Sequence, residues 1–391
     1  MLTGGGSGGA GARSTEGAAA DGRAVVAVVG AAHPLAAALV RRLAAGATAP
    51  EGEVGPEVGG QLPSGAGAGE GRREEPPLVL ALDPRTPAED LGAARRVRVD
   101  LRGPSLARVL AAEEVQVVVD GTLLPGGPLV GARTARDAGP PPSLDVASAV
   151  QRCPSVRRLV LASSTGVYGA SPRAPSVRTE GAELATPAGG AERAAAEAEA
   201  AVRALARRRE DVSTLVLRLA EVVGPGLRTP LGDWLELPAV PCLWGHDPRL
   251  QVLHADDAVA ALLLAARGRA EGVVNVAGEG VLALSQAAAL CGRPLLPVPA
   301  AALGASARAL VGRAVAAPWG DADRVLRSGR VVDLRRMRED LGLEPRWSSR
   351  AAVEDLARGR GLVGPLSPEV RRAVAGTAAG AWQRLRGLVA P

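Results

Sequence analysis

Lysine is absent from the 391 residues, so all 46 basic side chains are arginine. Phenylalanine is absent too, Tyr168 is the one tyrosine, and aromatic residues make up 2% of the chain. Any mechanism that needs a tyrosine paired with a lysine is excluded before a motif is sought. The three cysteines, Cys153, Cys242 and Cys291, are an odd number and form no C-x-x-C pair, which argues against a disulfide framework or a zinc site and fits a reducing cytoplasm. The three histidines, His33, His246 and His254, never fall four apart, so no metal site is expected. Long hydrophobic runs are scarce. The stretch Ala24 to Val40 is broken by Gly30 and by His33-Pro34, and it reads as strand, turn and helix, not as a signal or membrane segment, because Pro34 would break a continuous helix.

Glycine and proline are plentiful at 50 and 31 residues, while the 47% hydrophobic content supports a sizeable core. The net charge of +5 comes with 41 acidic residues interleaved among the arginines, so a nucleic-acid partner is not favoured. Residues 1 to 22 and 46 to 76 are small and polar with little to bury; they read as a disordered tail and a flexible insertion.

Between them, apolar runs alternate with helical patterns. Strands are expected at Ala24 to Val29, Leu78 to Leu82, Val97 to Val99, Val115 to Val119, Arg158 to Ala162, Thr214 to Leu217 and Val273 to Val276. Helices are expected at Leu35 to Ala44, Leu106 to Ala112, Leu144 to Gln151, Ala191 to Arg208 and Asp256 to Ala266. This order predicts an α/β fold of the Rossmann type, a doubly wound parallel sheet over residues 23 to 227, with a smaller mixed lobe over 228 to 362 interwoven with the sheet. A final helix is expected within 363 to 391, opened by Ser367-Pro368.

The first strand runs into Gly30-Ala31-Ala32-His33-Pro34-Leu35-Ala36, where such a fold places its glycine-rich phosphate turn. Only the first glycine of that pattern is present. His33 stands where a second glycine would let the backbone approach a pyrophosphate, and a plain strand-to-helix turn fits the same residues. Asp83 closes the second strand, where an acid binds ribose hydroxyls and favours NAD over NADP; Arg85 works against that preference. Asp100-Leu101 is placed to cover an adenine edge, though Asp100 could equally cap the next helix.

The fifth strand leads into Leu161-Ala-Ser163-Ser164-Thr165-Gly166-Val167-Tyr168-Gly169. With Leu217-Arg-Leu-Ala-Glu-Val-Val-Gly224-Pro225-Gly226, Leu250-Gln-Val-Leu-His254-Ala-Asp-Asp257, Val274-Asn275-Val-Ala-Gly278 and Asp333 ahead of Leu341-Gly342-Leu343-Glu-Pro345, the chain from 24 to about 361 resembles the NAD-dependent epimerase/dehydratase family of extended short-chain dehydrogenases. It is most similar to an actinobacterial branch labelled UDP-glucose 4-epimerases, and the lysine-free composition suits a GC-rich genome of that kind.

The resemblance implies bound NAD along Gly30, Ala31, His33, Pro34, Leu35, Asp83, Arg85, Asp100 and Leu101. It also implies a nucleotide or nucleotide-sugar ligand near Ser163, Thr165, Glu221, Arg249, Gln251 and His254, with Ser164 on the sugar hydroxyl and Tyr168 a packing residue. A homodimer paired through helices is typical of the family. The family's acid/base pair is a tyrosine with a lysine four residues later. Matching Glu199 to the family's downstream acid puts Ala191 and Ala195 in those places; a register shifted by two puts Gly189 and Arg193 there. Neither restores a phenol, and arginine cannot act as a base near neutrality. Glu192, Glu197, His254 and Asp120 are the remaining stand-ins. Leu250 occupies the place of the family's phosphate-gripping arginine, with Arg249 beside it. The expectation is a family member that binds a dinucleotide with little or no turnover; the alternative is an active epimerase or dehydratase with an unconventional acid/base.

Overall fold

The computed structural model describes residues 23–47, 75–125, 140–185, 190–299 and 322–362. The expected tail 1–22, all but the ends of the 46–76 insertion, the helix within 363–391 and Gly189 lie outside the described residues.

Seven parallel strands form the main sheet: β1 (Val25–Val29), β2 (Leu78–Asp83), β3 (Arg95–Arg98), β4 (Val117–Asp120), β5 (Arg158–Ser164), β6 (Ser213–Leu219) and, numbered in chain order, β11 (Gly272–Val276). Their spatial order is β11-β6-β5-β4-β1-β2-β3, so the order reverses between β1 and β4. A crevice opens at the carboxyl ends of strands at such a reversal. Helices α1 (Pro34–Ala44), α2 (Pro104–Ala112), α3 (Pro142–Arg152), α4 (Gly190–Arg208) and α6 (Ala255–Arg267) cover both faces. Alternation along β1 shows why both must be covered: Val26 and Val28 pack into the core on the α1 and α6 side, and Val25, Ala27 and Val29 into the core on the α2 and α3 side.

Among the described residues the expected strands and helices are present, with ends shifted by at most two residues. Three helices start before their apolar period does because each opens on a proline, Pro34, Pro104 or Pro142, whose fixed φ and missing N–H suit a first turn. A second core gathers around α5 (Pro230–Leu235), α7 (Leu284–Leu290) and α10 (Ser349–Gly359), with Trp234 fully buried in it. Short strand pairs knit this lobe together: β7 (Glu221–Val223) with β10 (Val252–His254), β9 (Arg249–Leu250) with β12 (Leu282–Ala283), and β8 (Val240–Leu243) with β13 (Leu295–Val298). Helices α8 (Ala322–Ser328) and α9 (Arg335–Glu339) complete it. Among the described residues no helix is long and apolar enough to cross a membrane.

One buried ion pair ties α4 to the sheet. Glu199 and Arg218 are 0% and 2% exposed, and Arg218 Nη2 and Nε donate to Glu199 Oε2 and Oε1 at 2.7 and 3.0 Å. Ser163 Oγ donates to Glu199 Oε1 at 2.7 Å, and Arg218 Nη1 donates to the Tyr168 hydroxyl at 2.8 Å. That hydroxyl in turn donates to Asn275 Oδ1 at 2.7 Å, so helix, β5, β6 and β11 share one polar network. Burial pushes the Tyr168 phenol above its ordinary range, and it stays protonated as the network requires.

Helix α1 begins with a second constraint. Gly30 has φ +83°, and a Cβ there would stand 3.1 Å from the Gly121 carbonyl carbon, so only glycine closes the turn onto the loop after β4. His33, 5% exposed, is the N-cap: Nδ1 accepts from the Leu35 amide at 3.2 Å, and Nε2 lies 2.7 Å from the Pro125 carbonyl oxygen. A carbonyl can only accept and an amide N–H can only donate, so the imidazole is the neutral Nε2–H tautomer. Burial holds its pKa below the ordinary 6.5.

Arg218→Met leaves the buried Glu199 carboxylate with only the half-exposed Arg203, 3.3 Å away, and is expected to cost about 3–5 kcal/mol in denaturant unfolding, whereas the double variant Glu199→Leu with Arg218→Met should recover most of that loss. Because the unfolded chain protonates His33 at 6.5 while the folded chain resists it, stability should fall as pH drops below 6.5 and level off once the folded pKa is passed. Melting curves of His33→Asn, which keeps a cap acceptor without a titrating group, should lack that step.

Candidate functional site

The carboxyl ends of β5 and β6 and the first turn of α4 meet around the 3-10 turn Thr165–Tyr168. Ser164 caps this turn, its Oγ accepting from the Gly166 amide at 3.0 Å. A Cβ on Gly166 would come within 2.9 Å of Glu192 Cγ and 3.2 Å of Ser164 Oγ, which places Glu192 against the Ser164 turn. Since the Glu199–Arg218 pair fixes which face of α4 meets the sheet, the positions four and eight residues before Glu199 are Ala195, buried in the core beside the turn, and Ala191, exposed at the start of the helix. Glu199 itself occupies a buried, paired place, whereas Glu197, two residues earlier, lies at the surface.

The other stand-ins are occupied elsewhere. Glu197 pairs with Arg193 on the surface of α4 at 2.9 Å. Asp120 is buried at the end of β4 and accepts from the Thr122 amide and hydroxyl at 3.0 and 2.7 Å, with burial raising its pKa. His254 caps α6 by accepting from the Asp256 amide, places Nε2 3.2 Å from Asp355 Oδ2 and stacks on Trp347 with ring centroids 4.2 Å apart. Its two ring nitrogens are thus engaged by α6 and by Asp355 of the second lobe.

Next to the Ser164 turn lies a narrow cleft between the sheet and the second lobe, lined by Thr165, Glu221, Gln251 and Arg330 among apolar residues that include Ala220 and Leu250. Gln251 is a brace within it: Nε2 donates to the Gly278 carbonyl and Oε1 accepts from the Val332 amide. Arg330 has a side chain only 8% exposed, its Nη1 stands 3.6 Å from Glu221 Oε1, and its buried Nε has no hydrogen-bond partner. Composition gave no signal for Arg330, one arginine among 46. Arg249, expected to contact substrate, lines instead a separate groove with Val177 and Val281. Its backbone carbonyl accepts from the Arg330 amide at 3.0 Å, so the neighbouring chain brings a different guanidinium to the cleft. Ser163, also expected at the substrate, turns its hydroxyl to Glu199.

At the β1 to β4 reversal the amides of the turn are engaged one after another. Gly30 and Ala31 donate to the Leu82 carbonyl at 2.9 and 3.3 Å, Ala32 to Asp83 Oδ2 at 3.1 Å, and His33 to the Gly30 carbonyl at 3.0 Å. Pro34 has no N–H, and the Leu35 amide is held by the His33 ring. A pyrophosphate at a helix start is bound through free amides and a close backbone approach. As they stand, these residues do not fit one. Asp83, at the strand end as expected, also accepts from the Arg85 amide at 2.8 Å. Asp100 lies in an exposed turn, where its Oδ1 accepts from the Arg102 amide at 2.9 Å, and Leu101 is packed into the core. Among the described residues, no cluster of three His, Cys, Asp or Glu side chains could hold a metal ion, and all three cysteines are buried and unpaired.

The chain is 38% identical over 316 residues to the uncharacterized protein Rv0501 of Mycobacterium tuberculosis and equally to Mb0513 of Mycobacterium bovis, covering 78% of this chain and 83% of each relative. Among solved structures, it resembles MoeE5 in complex with UDP-glucuronic acid and NAD (24% identity, TM-score 0.60, 86% of this chain and 98% of that one). It also resembles the UDP-glucose 4-epimerase of Thermotoga maritima with UDP-glucose (17% identity, TM-score 0.59, 86% and 98%). At these identities the structural likeness is one of fold. The model of the NAD dependent epimerase/dehydratase family matches residues 72–277, just over half of the sequence, and this chain belongs to that family.

Proposed function

We propose that this chain binds a nucleotide sugar in the cleft beside Ser164 and does not epimerise it. The observation that carries the reading is the pair of methyl groups, Ala191 and Ala195, on the helix face whose register the Glu199–Arg218 pair sets. Epimerisation at a sugar carbon needs a group that takes a proton from a hydroxyl as hydride leaves, and neither methyl can do so. Removing a positioned acid/base costs roughly a hundred- to ten-thousandfold in rate. No hydride step is assigned to the chain, because the turn that would hold a dinucleotide has its amides engaged.

The ligand class is supported by the cleft. Arg330 offers a buried guanidinium with an unpartnered Nε to an anionic or hydroxyl oxygen, while the Thr165 hydroxyl and the Glu221 carboxylate line the same space. UDP-sugars are the ligands in the MoeE5 and Thermotoga maritima structures, and a sugar diphosphate carries both kinds of oxygen. A second reading, an active enzyme with another acid/base, is favoured by one observation, the approach of Glu192 to the Ser164 turn.

Calorimetric titration with UDP-glucose is expected to show binding that Arg330→Met weakens by about tenfold or more, the range for a charged hydrogen bond. No C4 epimer should accumulate in its presence, with or without added NAD. Absence of heat with both UDP-glucose and UDP-glucuronic acid would remove the ligand class. Turnover that Glu192→Gln abolishes would replace the first reading with the second.

A further inference from the structure

We propose that His33 is a resident occupant of the dinucleotide site: the chain's own imidazole fills the place of the two linked phosphates, and an adenine dinucleotide can enter only by expelling it. The geometry of the turn carries this. A dinucleotide's phosphates are held where the first strand turns into the first helix, by amides at the helix start and by a backbone without side chains in the way. In this chain the ring stands at that helix start, where its Nδ1 takes the Leu35 amide. Its other nitrogen bridges to the Pro125 carbonyl in the loop after β4, so the imidazole links the two walls of the crevice at the point where strand order reverses.

The ring is held rather than merely present. It is 5% exposed, both nitrogens have partners, and Pro34 fixes the residue before it in the extended conformation seen, φ −78° and ψ 135°. The adenosine end differs. Three donors reach the Asp83 carboxylate, the amides of Ala32 and Arg85 and the Arg85 side chain, and two carboxylate oxygens have about four acceptor sites between them. The ribose end is therefore crowded, and the phosphate position is the one that is filled.

Two neutral hydrogen bonds must break for the ring to leave, which weakens dinucleotide binding by about tenfold to a hundredfold before any clash with the backbone is counted. The inference does not rest on the sugar-binding cleft, which lies at β5 and β7.

The test is calorimetric titration of the full-length chain with NAD, in the original sequence and in His33→Gly, alone and combined with Pro34→Ala to return an amide. The unsubstituted chain should give no binding below millimolar concentration, and at least one variant should bind NAD tenfold more tightly or better. If His33→Gly melts early, His33→Asn keeps an acceptor for the Leu35 amide with less bulk and carries the same comparison. UDP-glucose binding, measured alongside, should be equal in all of them, so loss of the sugar ligand and failure of this inference are separately visible. Micromolar binding of NAD by the unsubstituted chain, or folded variants that bind it no better, would overturn the proposal.

Discussion

Two opposite charges taken out of water must stay together, and that requirement organises the centre of this molecule. Glu199 and Arg218 lie on different elements, helix α4 and strand β6, and neither has solvent to fall back on. Turning α4 by one residue would rotate the carboxylate by about 100° around the helix axis and leave the buried Arg218 without it. The helix is thereby held in one register against the sheet. The surroundings of the Ser164 turn depend on it: that Ala195 is packed in the core beside the turn and that the Glu192 side chain lies against Gly166. Tyr168 and Asn275 extend the same network to β11, so the single tyrosine is a structural donor rather than a proton carrier.

The two polar regions of the molecule differ in how their groups are met. At the β1 to β4 reversal, polar groups have found partners within the chain, with backbone amides, the His33 ring and Asp83 all hydrogen bonded to one another or to Pro125 and Arg85. In the cleft at β5 and β7, a buried guanidinium keeps an unpartnered Nε beside a hydroxyl and a carboxylate. A satisfied cluster rigidifies and excludes; an unsatisfied buried donor costs stability unless a ligand meets it. That contrast is the physical basis of the proposal that a ligand is recognised in the cleft at β5 and β7.

Local pattern carried much of the architecture. Apolar runs of strand length and the acid at the end of β2 are properties of short stretches, and their expected positions agree with the structure to within two residues. Candidate site residues were legible only where they belonged to such a stretch, as with Ser164 at the end of β5 and the alanines Ala191 and Ala195 of α4. His254 illustrates the limit. An imidazole in a loop motif can serve a ligand or a helix, and its stacking on Trp347, 93 positions away in the chain, is what commits it to the helix.

What the sequence alone determined is therefore the α/β order, the absence of a Tyr and Lys pair, and the unusual His33-Pro34 in the phosphate turn, since each follows from residue identity and near-neighbour spacing. Only the tertiary structure decided that the imidazole bridges to Pro125, that Arg330 and not Arg249 enters the cleft, and that Ser163 turns to Glu199. These are matters of which buried polar atom finds which partner. Such pairings join segments distant in the chain, and the cost of leaving them unmade is felt only once the chain has excluded water around them.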